Sequence, residues 1–243
     1  DETTGRGRRA RQKYPVVGSG RVRRSTHDRI GTVSHDDASQ GSASQGNGWL
    51  RLLETNPGHS QWYIERFRSM AEAGADLAGE ARMIDAMVPR RARILDAGCG
   101  TGRVGSFLAA AGHDVVGVDL DQELIATARR DCPGASWLVG DLAELDLPTH
   151  GVAEGFDAVV CAGNVMTFLA EETRREVLHR LRAHLRDGGR ITTGFGTGRG
   201  YDVDEFLGDV AAAGLTPELL LSTWDLRPWT ERSSFLVAVL APS

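Results

Sequence analysis

The chain carries, at residues 94–103, the run Ile94-Leu95-Asp96-Ala97-Gly98-Cys99-Gly100-Thr101-Gly102-Arg103. Apolar residues in this run lead into three glycines that alternate with other residues, and a helical pattern follows. Glycine allows a tight backbone turn and lets a ligand approach with no Cβ in the way. The run therefore predicts a buried strand, a ligand-binding turn and a helix.

Strand and helix patterns alternate from this run to the end of the chain. Strands are predicted over residues 93–97, 115–119, 136–139, 156–162, 190–194, 218–224 and 235–240, and helices over 103–111, 122–131, 171–187 and 203–213. Gly188 and Gly189 are expected to end the third of these helices, and Gly214 the fourth. This alternation is typical of an α/β fold with a doubly wound parallel sheet. Because no helical pattern separates the last two strands, the seventh strand is expected to be antiparallel.

Two amphipathic helices are predicted before Pro89, over residues 60–73 and 76–88. In the first, Tyr63, Phe67 and Met70 follow one another at helical spacing and form an apolar stripe. Trp62 and Arg66 lie together on an adjacent strip of the same helix. Both helices are expected to pack on the rest of the protein.

Charge is distributed unevenly along the 243 residues. Residues 1–48 carry a formal charge of +4, whereas the remainder carries −9. The first segment is also rich in Gly, Ser, Gln and Arg and has almost no periodic apolar pattern, which predicts a disordered basic arm. The division expected from sequence is an arm over residues 1–48, a helical region over 49–88 and an α/β domain over 89–243.

Several classes of protein are excluded or disfavoured by composition. Apolar stretches are far shorter than the roughly 20 residues that a membrane span needs. The three cysteines are Cys99, Cys132 and Cys161, and their wide spacing fits neither a disulfide framework nor a zinc module. No early segment has the pattern of a secretory signal. The expected location is cytoplasmic, and no metal site is predicted.

Two features make the glycine run a more specific signal than a glycine-rich turn alone. Its glycines follow a GxGxG spacing, and Arg103 takes the place of the last glycine of GxGxxG. A bulky side chain there is expected to obstruct the close helix–strand packing of dinucleotide-binding folds. Asp119 ends the next predicted strand, where a carboxylate can accept hydrogen bonds from both hydroxyls of a ribose. A nucleoside ligand other than a dinucleotide is indicated.

Residues 89–240 resemble a class I S-adenosylmethionine-dependent methyltransferase, with that family's motifs in the expected order. The resemblance implies a Rossmann-like, doubly wound seven-stranded sheet with an antiparallel last strand, N-terminal helices that act as a lid, and S-adenosylmethionine as cofactor. It places Asp96 near the methionine end of the cofactor, Asp119 on the ribose and Leu120 on the adenine. The complete set of cofactor-binding residues that it implies is Asp96, Gly98, Gly100, Gly102, Asp119, Leu120, Asp141, Leu142, Gly163 and Asn164.

The methyl acceptor is less well specified by the sequence. The run typical of amino methyltransferases of adenine, cytosine or glutamine is absent after the fourth strand. Aromatic residues and arginines expected over the carboxyl edge of the sheet suit a planar or anionic small molecule, although an aromatic core with extended arginines explains the pattern equally well. The candidate substrate-binding residues are Tyr63, Arg66, Tyr201, Trp224 and Arg227.

Alternative functions remain open at this stage. The basic arm could guide a nucleic acid to the domain, although the acidic body opposes this, or the chain could be a noncatalytic module that binds the cofactor. No general base is identified. His113 and His179 are expected to face solvent, His184 lies at the margin of an apolar stripe, and Cys99 has no neighbouring base that would make it a nucleophile.

Overall fold

The computed structural model describes residues 46–243, so residues 1–45 of the predicted arm lie outside the described part. Seven strands form one sheet in the order β3-β2-β1-β4-β5-β7-β6. Neighbouring strands are parallel except that β7 is antiparallel to both β5 and β6, which confirms the predicted sheet. The strands are β1 Arg93–Ala97, β2 Asp114–Asp119, β3 Ser136–Val139, β4 Phe156–Cys161, β5 Leu185–Gly196, β6 Leu215–Leu221 and β7 Phe235–Pro242.

Eight α-helices occur in the described residues, and three of them precede the sheet. They are α1 Gly48–Thr55, α2 His59–Glu72, α3 Gly79–Met87, α4 Arg103–Ala110, α5 Gln122–Asp131, α6 Val165–Phe168, α7 Arg174–Ala183 and α8 Val203–Ala212. Short 3₁₀ turns cover Leu142–Glu144, Leu147–His150 and Glu171–Thr173. Helix α1 was not predicted, although Asn47, a good N-cap residue, stands directly before it and accepts the Trp49 N–H.

The sheet is covered on both faces because successive residues of a strand point to opposite sides. Ile94 of β1 packs in one cluster with Ile84 of α3 and Leu108 of α4. Leu95, the next residue, packs on the other face in the large cluster that contains Leu178 of α7. The helices leave the edge of the sheet open at the carboxyl ends of the parallel strands. The glycine run turns at this open edge.

One indole ring explains why three nearby positions, Gly102, Gly105 and Gly117, are occupied by glycine. Trp137 of β3 is buried and donates its Nε1–H to Cys132 O over 2.8 Å. A Cβ placed on Gly102 or on Gly105 would lie 2.8 Å from this ring, and one on Gly117 of β2 would overlap it. Glycine at these positions makes room for the indole between β2, β3 and the start of α4.

The predicted helix over residues 171–187 is shorter in the structure, and Gly188 and Gly189 do not end it. Helix α7 stops at Ala183, and Leu185 already pairs with Phe156 in the sheet. A Cβ on Gly189 would lie 2.7 Å from Phe156 O, so glycine is required inside β5 by close strand packing. Leu185 continues the helical apolar pattern, but strand pairing determined its conformation.

Other element boundaries also differ from the prediction, among them those of β6 and α3. Strand β6 covers Leu215–Leu221 instead of residues 218–224, and it tolerates Pro217 because it is an edge strand with an irregular register at that residue. Helix α3 begins at Gly79, since Asp76 accepts the Ala78 N–H over 3.1 Å and forms a turn before the helix. The helix over residues 203–213 ends before Gly214, as predicted.

His113 is buried, so its predicted exposure to solvent was wrong. Its Nδ1 accepts the Ala92 N–H over 3.1 Å, and its Nε2 lies 2.9 Å from Asp85 Oδ1. The imidazole thus joins the start of β2 to α3 and to the segment before β1. His179 is exposed, as expected.

In residues 46–243, no helix has both the length and the apolar composition required to cross a bilayer. The same residues contain no cluster of three or more His, Cys, Asp or Glu side chains arranged to hold a metal ion.

Candidate functional site

A cleft opens at the carboxyl ends of the central strands. Seven of the ten predicted cofactor-binding residues line it, namely Gly98, Gly100, Asp119, Leu120, Asp141, Leu142 and Gly163. The other lining residues are Asn47, Trp49, Tyr63, Leu124, Gly140, Ala162, Val165, Phe168 and Leu169. The cleft thus combines the glycine run, the ends of β2, β3 and β4, and the first two helices.

The glycine run forms the floor of the cleft. Gly98 and Gly100 have positive φ angles of 74° and 55°, which glycine adopts without strain. A Cβ on Gly98 would overlap Val165 at the start of α6, and one on Gly100 would lie 3.4 Å from the Tyr63 hydroxyl oxygen. Glycine therefore permits both the turn and the approach of the two elements that flank the cleft.

Asp119 provides a carboxylate at the centre of the cleft. Its Oδ2 accepts the Gly100 N–H over 2.8 Å, and its Oδ1 accepts the Asp121 N–H over 2.9 Å. Burial raises the pKa of Asp119 to about 6, even though these two backbone hydrogen bonds lower it. Each oxygen keeps a further lone pair with which to accept a ligand hydroxyl.

Three predicted cofactor residues do not line the cleft. Asp96 is buried beneath the glycine run, where it accepts the Gly105 N–H over 2.8 Å and where burial raises its pKa to about 7. Gly102 makes room for Trp137. Asn164 has a left-handed backbone conformation, and its Oδ1 accepts the Gly196 N–H over 2.7 Å. The structure gives these three residues roles in shaping the loops around the cleft.

Of the five predicted substrate-binding residues, the structure brings only Tyr63 to the cleft. Arg66 is exposed, with its guanidinium 5.4 Å from the Trp62 ring centre, and Arg227 is also exposed. Tyr201 is fully buried and donates to Asp209 Oδ2 over 2.9 Å. Trp224 packs in the cluster of Met83. These four positions were predicted from residue type and from the segments in which they lie, which do not determine the direction of a side chain.

Trp49 and Asn47 line the cleft but were missed in the prediction. Asn47 is buried and caps α1. Trp49 lies edge-on to Tyr63 and Phe168, with ring centres 5.5 and 5.7 Å apart. The asparagine before an amphipathic Trp-Leu-x-x-Leu pattern is the signal that could have identified this helix.

Arg103 occupies a different environment from the one expected. Its guanidinium donates to both carboxylate oxygens of Glu80, over 2.6 and 2.9 Å, and to Leu77 O. It therefore points toward α3 and does not obstruct the packing of α4 on the sheet. That close approach occurs at Gly105, where a Cβ would lie 3.0 Å from Asp96 Oδ2.

Comparisons with known proteins agree with this geometry. Residues 94–189 match the sequence model of a family described as "Methyltransferase domain". The crystal structure of a TehB-like S-adenosylmethionine-dependent methyltransferase from Corynebacterium glutamicum is 48% identical, with a TM-score of 0.73, and the match covers 77% of this chain and 100% of that one. The chain belongs to the class I S-adenosylmethionine-dependent methyltransferases.

Other relatives of this methyltransferase are named for different methyl-transfer reactions. A ubiquinone biosynthesis O-methyltransferase from Methylococcus capsulatus is 31% identical over 40% of this chain and 47% of its own length. A glycine/sarcosine N-methyltransferase from Aphanothece halophytica is 34% identical over 40% of this chain and 37% of its own length. The chain spans less than half of the length of these two relatives.

The residues of the cleft fit S-adenosylmethionine, the cofactor of this family. Gly98 and Gly100 form a floor without side chains, Asp119 presents unused lone pairs for a ribose diol, and Leu120 and Leu142 supply apolar surface for a planar base. Asp119 and Asp141 are the acidic side chains that line the cleft, and no Arg, Lys or His within residues 46–243 lines it.

Proposed function

We propose that this protein transfers the methyl group of S-adenosylmethionine to a small-molecule acceptor. The observation that carries the proposal is the Asp119 carboxylate, held between the glycine run and the start of α5 inside the cleft. Asp119 holds the ribose, Gly98 and Gly100 line the methionine part, and Leu120 and Leu142 contact the adenine. When bound, S-adenosylmethionine supplies a methyl group activated by its sulfonium charge.

The chain's own contribution is to align the two reactants and exclude water. The acceptor approaches between the first two helices and the end of β4, where Trp49, Val165 and Phe168 provide apolar and aromatic surface. Since these side chains carry no charge, we infer that they recognise a planar or apolar part of the acceptor. Within residues 46–243 no Arg, Lys or His lines the cleft and Asp119 lies inside it, so this part of the chain does not favour an anionic acceptor.

The cleft also restricts how the acceptor is activated. Burial raises the pKa of the Tyr63 hydroxyl to about 12, so it keeps its proton at neutral pH. Within the described residues no histidine or lysine lines the cleft, and its two carboxylates, Asp119 and Asp141, are both assigned to the cofactor. We therefore infer an acceptor that presents a lone pair unaided, as a neutral amine or a thiolate does.

Two measurements test the proposal. Calorimetry with S-adenosylmethionine, S-adenosylhomocysteine and NAD should show binding of the first two only. Incubation with methyl-labelled cofactor and a panel of small amines, thiols and phenols should transfer label to amines or thiols. Tight NAD binding would overturn the cofactor assignment. Cofactor binding without transfer to any acceptor, including RNA and DNA, would instead favour a noncatalytic module.

A further inference from the structure

A single carboxylate connects the first two helices to the cofactor cleft. Asp121 is buried, and its Oδ2 accepts the Trp49 Nε1–H over 2.9 Å and also the Ser60 hydroxyl. Trp49 belongs to α1 and Ser60 to the first turn of α2, so both helices are bound to the same oxygen atom. The other oxygen, Oδ1, accepts the backbone N–H groups of Glu123 and Leu124 and caps α5.

The residues bound in this way lead directly to the walls of the cleft. Trp49 itself lines the cleft, and Tyr63, one turn after Ser60, lies over Gly100 of the glycine run. The backbone N–H of Asp121 donates to Asp119 Oδ1 over 2.9 Å. Asp121 therefore contacts both the residues that cover the cleft and the residue proposed to hold the ribose.

Other polar contacts between these helices and α5 are exposed. Arg68 of α2 pairs with Asp131 over 3.1 Å, but both side chains are more than 40% exposed to solvent. An exposed pair of this kind contributes little, because water competes for both charges. The bonds to Asp121 are buried and charge-assisted, and such bonds are stronger. Asp121 is thus the principal polar attachment of α1 and α2 to α5 among the described residues.

We propose that Asp121 is a positioning residue that keeps α1 and α2 closed over the cleft and thereby sets the rate at which the cofactor leaves. The inference rests on the proposed function for the identity of the ligand. Opening the cleft moves Trp49 and Tyr63 away from it, and this motion requires that the two donors leave Asp121. Release of ligand is therefore coupled to the breaking of these bonds.

Three variants remove the attachment in different ways. Asp121→Asn keeps a cap for α5, since asparagine caps as well as aspartate, but its neutral side chain cannot offer the charged acceptor oxygen. Trp49→Phe keeps the aromatic packing and loses the donor. Ser60→Ala removes the second donor at a residue that does not line the cleft. Asp131→Asn is the matched control, because it removes an exposed carboxylate that joins α2 to the end of α5.

The probe is tritiated S-adenosylhomocysteine, whose dissociation is followed after a chase with excess unlabelled ligand. We expect dissociation to accelerate roughly tenfold in Asp121→Asn and severalfold in each donor variant, as loss of a charge-assisted hydrogen bond implies. Association should change less than twofold, and Asp131→Asn should match the native protein. The midpoint of thermal unfolding, measured without ligand, shows whether a variant has lost stability or only the closed position of α1 and α2.

The outcomes distinguish this inference from the proposed function. Failure of the native protein to bind S-adenosylhomocysteine would overturn the proposed function and with it the identity of the ligand. Binding with a native dissociation rate in both Ser60→Ala and Trp49→Phe would overturn the role of Asp121 alone. If Asp121→Asn does not fold, these two donor variants decide the matter.

Discussion

Gly100 donates its backbone N–H to Asp119 Oδ2 over 2.8 Å, which joins the glycine run after β1 to the end of β2. Replacing Asp119 by alanine removes both this link and the acceptor for a ribose diol. We expect Asp119→Ala to weaken binding of S-adenosylhomocysteine by roughly 2–4 kcal/mol, measured by calorimetry, because two buried hydroxyls lose their partner. Asp114→Ala, at the exposed start of the same strand, should bind normally. Equal affinity in the two variants would contradict the site assignment.

Asp96 should make stability depend on pH. Burial raises its pKa to about 7 in the folded protein, whereas the unfolded chain releases the proton near 3.9. The folded state therefore holds more protons between these values, and the contribution of Asp96 to stability falls as pH rises through that window. Asp96→Asn keeps an acceptor for Gly105 and removes the titration. In denaturant unfolding, its stability relative to the native protein should rise with pH by up to about 1.4 kcal/mol per unit. A constant difference would show that Asp96 is ionised throughout.

The pairing of Arg103 with Glu80 should contribute to stability. Both side chains are less than 20% exposed and form two hydrogen bonds. Burial acts to raise the pKa of Glu80, but the hydrogen bonds and the charge of Arg103 outweigh it and the pKa is lowered. We expect Glu80→Gln to reduce the free energy of unfolding by about 1–3 kcal/mol. Glu218→Gln, in an exposed pair with Arg190, should change it by less than about 1 kcal/mol.

Replacing His113 by leucine should leave a buried backbone N–H without an acceptor. In His113→Leu the buried Ala92 N–H loses the Nδ1 that it bonds in the native protein. We expect a loss of about 1–3 kcal/mol in the free energy of unfolding. His179→Leu is a control because His179 is exposed on α7. Similar stability of both variants would mean that the Ala92 N–H finds another acceptor.

Asn47 caps the first helix of the described residues. Its side chain accepts the Trp49 and Leu50 N–H groups at the start of α1, over 2.9 and 3.4 Å. A chain that begins at residue 49 should therefore be less stable than one that begins at residue 46, by about 1 kcal/mol in thermal or denaturant unfolding. Asn47→Asp should retain the cap, and Asn47→Ala should behave like the shorter chain.

Most of the sheet could be predicted because its strands have buried patterns that local sequence reveals. The bounds of β1, β3 and α5 agree with the prediction, and so does the end of β2 at Asp119. The end of α7 could not, since Leu185 continues a helical pattern and only pairing with Phe156 makes it extended. His113 and Arg66 show a second limit of prediction from sequence. Whether a polar side chain is buried depends on partners far away in the chain. For His113 these partners are Asp85 and Ala92.

The fit of the Trp137 ring against Gly105 and Gly117 links the evolutionary histories of these positions. Neither glycine has a positive φ, so an alanine is excluded there by crowding and not by backbone conformation. A smaller residue at 137 relieves the tightest contact at both sites, whereas alanine arising first at either site displaces the indole. Substitutions at the three positions should therefore covary among relatives, with the change at 137 preceding the others in any viable mutational path.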